Sequence, residues 1–149
     1  MRLFGGWGLE ARWLEEENPA ARAYAAGVPM GADFPPREND AAPRFLLWAL
    51  MDPIAAHLDR LQIIKGWVDA SGQSFERVYD LAASGGREID PTSGFYPPVG
   101  STVDIEDASY TNTIGSTSLK AYWIDPDFDP AQSAFYYARV LEIPTPRMS

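Results

Sequence analysis

The stretch SAFYYARVLEIP, residues 133–144, decides the fold. Between Ser133 and Ile143 it contains no glycine or proline, and β-branched and aromatic residues are frequent. Asp129-Pro130 precedes it and Pro144 ends it. This pattern predicts a long β-strand. We expect it to be the central strand of a β-sandwich, covered on both sides, because neither of its alternating faces is plainly polar.

Tyr136 has a candidate structural role in this strand. A tyrosine two residues before a small residue and four before a valine is similar to the tyrosine corner of immunoglobulin-like sandwiches. In that motif the hydroxyl returns to the backbone a few residues upstream. The alternative is that Tyr136 is one more half-buried aromatic residue.

The rest of the chain predicts further short strands and one helix. Asn18-Pro19 and Gly27 mark the two ends of a helix over residues 19–26. This helix lies in an extended N-terminal connection over residues 9–43. The sequence therefore predicts a mainly β protein, an immunoglobulin-like antiparallel sandwich of about seven strands in a single domain, residues 1–149. The other predicted strands cover residues 2–4, 44–51, 61–68, 75–82, 103–105, 109–114 and 118–124.

Composition narrows the function. The 149 residues carry a net charge of −9, which disfavours nucleic acid as a partner because phosphate binding needs clustered Lys and Arg. There is no cysteine, so disulfides, thiolate metal sites and cysteine nucleophiles are excluded. No apolar run reaches the ~20 residues of a membrane span, and the first residues do not form a signal peptide. The compartment and the oligomeric state are left open.

Few residues suggest catalysis or metal binding. His57 is the only histidine and lies in a polar segment, where we expect an exposed turn residue and not a catalytic base. The run Asp125-Pro-Asp127-Phe-Asp129-Pro superficially resembles the start of a calcium loop. It lacks the glycine and the distal glutamate of an EF-hand, so these aspartates are weak metal candidates and a turn is the simpler interpretation.

The tryptophans suggest two kinds of surface. Trp67 and Trp123 end their predicted strands and could stack on a carbohydrate, which makes them candidate ligand-binding residues. Trp, Tyr and Arg are also enriched at protein interfaces, and this interpretation is the preferred one. Trp7, Tyr137 and Arg139 are the candidate residues for contact with another domain.

Several segments together resemble a known family. RLFGGW, GVPMGADFP, LDRLQIIKGWVDASG, PPVGSTVD, SYTNTIG and the long run WIDPDFDPAQSAFYYARVLEIPTPR resemble the C-terminal portion of the proteins called domain of unknown function 3604. The resemblance spans nearly the whole chain. It implies a longer bacterial parent, of which this chain is a C-terminal fragment, with an N-terminal part like the PHP (polymerase and histidinol phosphatase) metallohydrolases.

That resemblance sets the functional expectation. It implies that the parent binds divalent metal and hydrolyses a phosphoester or a similar bond. A periplasmic or secreted parent is one option for the compartment, which stays open. No catalytic residue is carried over, because this chain has a single histidine and lacks the metal-ligand motifs. We expect a non-catalytic accessory domain without a cofactor of its own. It would pack on the N-terminal metallohydrolase-like domain and shape the rim of its active site through loops 28–43 and 84–98.

Two alternatives remain at this stage. One is a stand-alone ligand-binding module, with carbohydrate as the first ligand and calcium as the second. The other is an enzyme that uses His57, which requires a nucleophile or a carboxylate within hydrogen-bonding reach of the ring.

Overall fold

In the part of the chain that the structure describes, seven strands form two antiparallel sheets, and a helical layer covers the outer face of one of them. The computed structural model describes residues 1–37 and 39–147. The elements are β1 (Arg2–Gly6), a 3-10 helix (Ala11–Glu15), α1 (Pro19–Ala26), β2 (Val28–Pro29), β3 (Arg44–Leu50), β4 (Leu58–Val68), β5 (Ser74–Ala83), β6 (Ser118–Ile124) and β7 (Ser133–Glu142).

The first sheet has the strand order β2-β1-β3-β6 and the second has the order β5-β4-β7. In the first sheet Leu47 stands opposite both Leu3 and Ala121. In the second, Ile63 stands opposite Tyr79 and Ala138. The predicted mainly β sandwich of about seven strands is confirmed, whereas its immunoglobulin-like character stays a prediction.

The predicted position of residues 133–144 in the sheet is wrong. β7 pairs only with β4 and is an edge strand, whereas β4 pairs with β5 on one side and β7 on the other. Phe135 and Arg139 are exposed on β7, so the strand is not covered on both sides. Its apolar outward residues, which suggested burial, instead lie over the neighbouring strand, as described below.

Two hydrophobic clusters lie on opposite faces of the first sheet. The cluster between the sheets contains Phe45, Leu47, Leu61 and Ile63, all buried. The second cluster lies under the helical layer, and its members come from strands and helices alike: Phe4, Leu9, Trp13, Ala23 and Leu46. Alternation along β3 explains the division, because odd-numbered and even-numbered side chains point to opposite faces.

The predicted helix is confirmed with its ends. The side chain of Asn18 accepts a hydrogen bond from Ala21 N at 3.2 Å, and Pro19 occupies the first turn, where its missing N–H costs nothing. The N–H of Gly27 donates to the Ala23 carbonyl at the other end. The sequence did not predict the preceding 3-10 helix, which carries Trp13 into the core.

Two of the predicted short strands are absent from the described structure. Residues 103–105 and 109–114 form only an isolated bridge between Asp104 and Ser109. The Asp104 side chain accepts hydrogen bonds from the N–H groups of Glu106 and Asp107, so the local backbone is held in a turn. Such side-chain-to-backbone bonds compete with strand pairing. A further strand, β2, was not predicted.

Tyr136 does not form the predicted tyrosine corner. Its hydroxyl donates to the Asp125 carboxylate at 2.6 Å, not to an upstream backbone group. The buried Asp125 carboxylate therefore sets the position of this hydroxyl. The local sequence pattern around Tyr136 does not reveal that partner. Within residues 1–37 and 39–147, no helix has the length and apolar character needed to cross a membrane.

Candidate functional site

A cavity of about 400 Å³ opens between the edge strands β2 and β7, on one side of the sandwich. We call it the aromatic cavity, because aromatic side chains form much of its wall. Asp33 and Gln132 also line it. Its volume lies in the range typical of sites for small ligands. The aromatic residues are Trp7, Phe34, Phe45, Phe128, Phe135 and Tyr136.

Phe34 reaches the cavity because β1 has a glycine beneath it. A β-carbon on Gly5 would lie 2.5 Å from Cζ of Phe34, which no real contact tolerates. The Phe34 ring also packs edge-on against Phe45, with ring centroids 5.8 Å apart. The absence of a side chain at Gly5 therefore lets loop 28–43 place an aromatic ring against the first sheet.

Trp7 is held in the cavity wall by a hydrogen bond. Its indole Nε1 donates to the carbonyl oxygen of Pro35 at 3.0 Å. The ring centroid lies 5.1 Å from that of Phe34 and 6.1 Å from that of Phe128. The structure thus places this predicted interface residue beside loop 28–43 in the cavity wall, whereas Tyr137 and Arg139 are not among the residues that line the cavity.

Phe128 belongs to the turn after β6, and a buried ion pair fixes this turn. Lys65 Nζ lies 2.6 Å from Asp125 Oδ2 and donates to the carbonyl oxygen of Asp127 at 2.7 Å. Both partners of the ion pair are almost fully buried. A buried pair of this kind needs further hydrogen bonds to offset desolvation. Tyr136 supplies one at Asp125 Oδ2, and the Asp127 N–H supplies another at Oδ1.

A second carboxylate anchors the same turn. Asp127 Oδ2 accepts hydrogen bonds from the Tyr79 hydroxyl at 2.6 Å and from Arg77 at 2.8 Å. Burial, followed by the bond to Asp127, raises the pKa of Tyr79 above its ordinary value. Burial, followed by the bond to Asp125, likewise raises the pKa of Tyr136. Both phenols are therefore held as neutral donors.

The three aspartates of this turn, the weak metal candidates, all accept hydrogen bonds from groups of the protein. Asp125 and Asp127 are engaged by the cationic and phenolic groups just described, and Asp129 Oδ1 accepts from the N–H of Ala131. In the part of the chain that the structure describes, no three His, Asp or Glu side chains are grouped to hold a metal ion. The observed chemistry of this run is that of a turn held by charged and polar contacts.

The outer face of the three-stranded sheet carries two aromatic side chains that lie across it. The rings of Phe135 and Tyr137 are stacked, with an interplanar angle of 12°. The Phe135 ring lies on Gly66. The Tyr137 hydroxyl reaches Glu76 on β5 at 3.4 Å, so its side chain spans β4, where Ile64 is buried. We call Phe135 and Tyr137 the outer aromatic pair; Phe135 is 60% exposed.

A polar row crosses the same face beside the aromatic pair. Arg139 Nε donates to Gln62 Oε1, and Gln62 Nε2 donates to Asp80 Oδ1, linking all three strands. Two of the predicted interface residues, Tyr137 and Arg139, thus lie side by side. Loop 84–98 lies at the far end of this face. Beside it, Arg60 of β4 donates to the Asp80 carboxylate of β5 at 2.9 Å.

Loop 84–98 is attached to the sandwich by two arginines. Arg60 also donates to the carbonyl oxygens of Tyr96 and Pro97. Arg87 binds Asp59 and donates to the Pro97 carbonyl at 2.7 Å. Burial acts against the charge of Arg60, but Asp59 and Asp80 outweigh it and raise the Arg60 pKa. The loop is therefore fixed by charge-assisted bonds.

Trp67 and Trp123, the predicted carbohydrate platform, have separate neighbours. The Trp67 ring stacks on Phe75 with centroids 5.5 Å apart. Trp123 is half-buried and packs on Phe45 and Tyr79 at the margin of the core. They lie on strands of different sheets. Their role in ligand binding stays a prediction.

His57 is half-buried, not an exposed turn residue. Its Nδ1 lies 3.0 Å from the carbonyl oxygen of Ile114, and its backbone N–H donates to the Asn112 side chain. Gly115 leaves room beside it, because a β-carbon there would lie 2.5 Å from Cβ of His57. These contacts join the segment before β4 to the loop before β6, which is a structural role.

Sequence reasoning missed Phe34, Phe128 and Phe135 as site residues. A signal was present, because glycine inside a strand often marks the close approach of another group. Gly5 and Gly66 are such glycines, and each lies under one of these rings. The sequence did not show which aromatic ring packs on each glycine, because Phe34 is remote from Gly5 along the chain and Phe135 is remote from Gly66.

Comparison with known proteins identifies the family. A family model described as "Protein of unknown function (DUF3604)" matches residues 1–149. No curated protein and no solved structure matches the chain. The match covers every segment that forms the aromatic cavity and the outer aromatic pair. The chain therefore belongs to the DUF3604 family of proteins of unknown function.

Proposed function

We propose that this chain is a non-catalytic accessory β-sandwich of a protein resembling PHP-type metal-dependent phosphohydrolases, and that it packs on the catalytic domain. The observation that carries the proposal is the outer aromatic pair. The outer face of the first sheet is covered by the 3-10 helix and α1, whereas the second sheet presents Phe135 and Tyr137 on its outer face.

The composition of this face suits a domain interface. Aromatic residues and arginine contribute disproportionately to interface energies, and here Phe135, Tyr137 and Arg139 lie on one strand face. The polar row of Arg139, Gln62 and Asp80 borders the aromatic rings. An apolar centre next to satisfied polar groups is the usual anatomy of such a contact.

Loop 84–98 would lie at the edge of that contact. It is bound to Asp59 and Asp80 through Arg87 and Arg60 at the end of the same sheet. A loop fixed in this way can shape the rim of a neighbouring active site without being ordered by the substrate. This supports the role of a rim-shaping element.

The test is a binding and activity measurement. The chain is mixed with a separately produced PHP-type domain of the kind that the resemblance implies, with manganese and a generic phosphodiester and phosphomonoester as substrates. We expect a complex, and hydrolysis that is higher in the mixture than with either component alone. Metal-dependent hydrolysis by this chain alone, or the absence of a complex, would overturn the proposal.

Variants locate the contact. Tyr137→Ser and Phe135→Ser should each weaken the complex about tenfold or more, because aromatic anchors at interface centres carry much of the energy. Ile54→Ser is the matched control, since Ile54 is an exposed apolar residue in the segment between β3 and β4 and belongs to neither strand. An equal loss of affinity in Ile54→Ser would show that the weakening of the complex is not specific to the outer aromatic pair.

The second candidate function is a ligand-binding module. The observation in its favour is the aromatic cavity, which differs from the predicted carbohydrate platform at Trp67 and Trp123. Titration with monosaccharides, followed by the amide resonances next to Trp7 and next to Trp67, distinguishes the two places. Saturable shifts around Trp67 and Trp123 would favour the carbohydrate hypothesis.

A further inference from the structure

Aromatic rings at different orientations line the aromatic cavity. The ring planes of Trp7 and Phe34 meet at 63°, and those of Trp7 and Phe128 meet at 59°. The face of an aromatic ring carries negative charge density, which attracts cations. Trp7 is fixed by its bond to Pro35, and Phe34 is seated on Gly5, so two of the three rings are held in place before any ligand arrives.

One charged residue in the cavity wall indicates the sign of the ligand. Asp33 lines the cavity and is exposed, so its negative charge favours a cation there. The guanidinium of Arg37 lies over the ring of Phe128, 5.7 Å from its centroid, so that ring already contacts a cation, and Trp7 and Phe34 are the rings of this group that remain for the ligand. Among residues 1–37 and 39–147 no Lys or Arg pairs with Asp33, and Arg37 pairs with Asp40 at 3.4 Å. The whole chain carries a net charge of −9, which also favours a cationic ligand.

We propose that the aromatic cavity binds a small organic cation whose charged nitrogen carries methyl or other apolar groups. Such a nitrogen donates few hydrogen bonds or none, so rings and one carboxylate stabilise it better than a set of acceptors would. The cavity volume of about 400 Å³ accommodates a ligand of this class. The site shares Phe135 with the outer aromatic pair but goes beyond the proposed domain contact, because Trp7, Phe34 and Asp33 lie outside that pair.

The first experiment compares two ligands of nearly the same shape. Choline and its neutral isostere 3,3-dimethyl-1-butanol are each titrated into the isotopically labelled chain, and the amide resonances of residues 28–34 are followed. We expect saturable shifts with choline. The isostere should bind at least about fivefold more weakly, because it lacks the positive charge that the aromatic rings attract. Equal affinities, or no saturable shift with choline, would overturn the proposal.

Variants separate the contribution of charge from that of the rings. Asp33→Asn should weaken choline binding about fivefold while leaving the isostere unaffected, because only the Coulomb attraction is removed. Trp7→Leu should weaken choline about tenfold, and Trp7→Phe should retain part of the affinity. Asp107→Asn removes an exposed carboxylate far along the chain and serves as the matched control.

Each variant is first checked for its fold through the dispersion of its amide spectrum. Trp7→Phe and Asp33→Asn are conservative, so they keep the test usable if Trp7→Leu unfolds. A peptide with a trimethyllysine, compared with the same peptide carrying lysine, distinguishes a cation carried on a protein from a free molecule. Unchanged choline affinity in Asp33→Asn and Trp7→Phe together would contradict the assignment of the site.

Discussion

The ring of Phe135 lies on Gly66 of the neighbouring strand, in the place where a side chain of residue 66 would stand. Gly66 is the only glycine in β4, at the centre of the three-stranded sheet. A strand glycine loses more conformational entropy than other residues, so it needs a compensating contact. The aromatic ring supplies that contact and is at the same time part of the outer face.

Gly66→Ala should destabilise the fold by about 1–3 kcal/mol, because the new methyl group collides with the ring and forces it off the sheet. Gly8→Ala is the control, since an added β-carbon there meets nothing within 4 Å. Urea unfolding measures both. In the background Phe135→Ala, Gly66→Ala should become neutral or stabilising; an unchanged cost there would show that the collision is with something else.

Lys65→Met should destabilise the fold by about 3–5 kcal/mol, because it leaves the Asp125 carboxylate buried without its cation. The turn that carries Phe128 should also loosen, since Lys65 holds the Asp127 carbonyl. Arg12→Met removes one partner of an exposed ion pair and should cost much less stability, because solvent screens that pair. Similar losses for the two variants would mean that the buried pair contributes no more than a surface pair.

The sequence predicted the helix and most of the strands better than it predicted which strands pair with each other. Local signals are enough for α1, where Asn18 and Gly27 act on neighbouring backbone groups. They are also enough for the predicted strands 61–68 and 75–82, which correspond to β4 and β5 and are joined by a turn in which Asp69 accepts hydrogen bonds from the N–H groups of Ser71 and Gln73. These interactions involve residues a few positions apart, so the pattern is visible in one stretch of sequence.

The position of a strand in its sheet was not predictable in the same way. β7 resembles a central strand because its outward side chains are aromatic. However, these rings cover Gly66 and Ile64 on β4 instead of being covered themselves. The aromatic cavity depends in the same way on pairs that are remote in sequence, such as Gly5 with Phe34. Alternation identifies a strand and its faces but not the neighbour that each face meets.

Leu61→Ala should cost about 2–5 kcal/mol, because Leu61 is fully buried between the sheets and its removal leaves a cavity. Val140→Ala on the opposite strand should cost less, since Val140 is only half-buried at the margin of the same cluster. Thermal or urea unfolding compares the two. A near-zero loss for Leu61→Ala would contradict the assignment of the inner face of β4.

Tyr136→Phe should change how stability depends on pH. Burial, and then the hydrogen bond to Asp125, raises the pKa of the Tyr136 hydroxyl in the folded protein above its ordinary value of 10.0. The unfolded chain therefore loses this proton first as the pH rises. The contribution of Tyr136 to stability is complete below pH 10.0 and declines above it, by up to about 1.4 kcal/mol per pH unit for one proton.

Near neutral pH the variant should be less stable by about 1–3 kcal/mol, because the buried Asp125 carboxylate loses a charged hydrogen bond. Above pH 10.0 the gap between wild type and variant should narrow, since only the wild type has this hydroxyl to ionise on unfolding. Urea unfolding at a series of alkaline pH values measures the gap, with the exposed Tyr24→Phe as control. A constant gap across the series would show that Tyr136 does not contribute through its proton, and would leave Lys65 as the main stabiliser of Asp125.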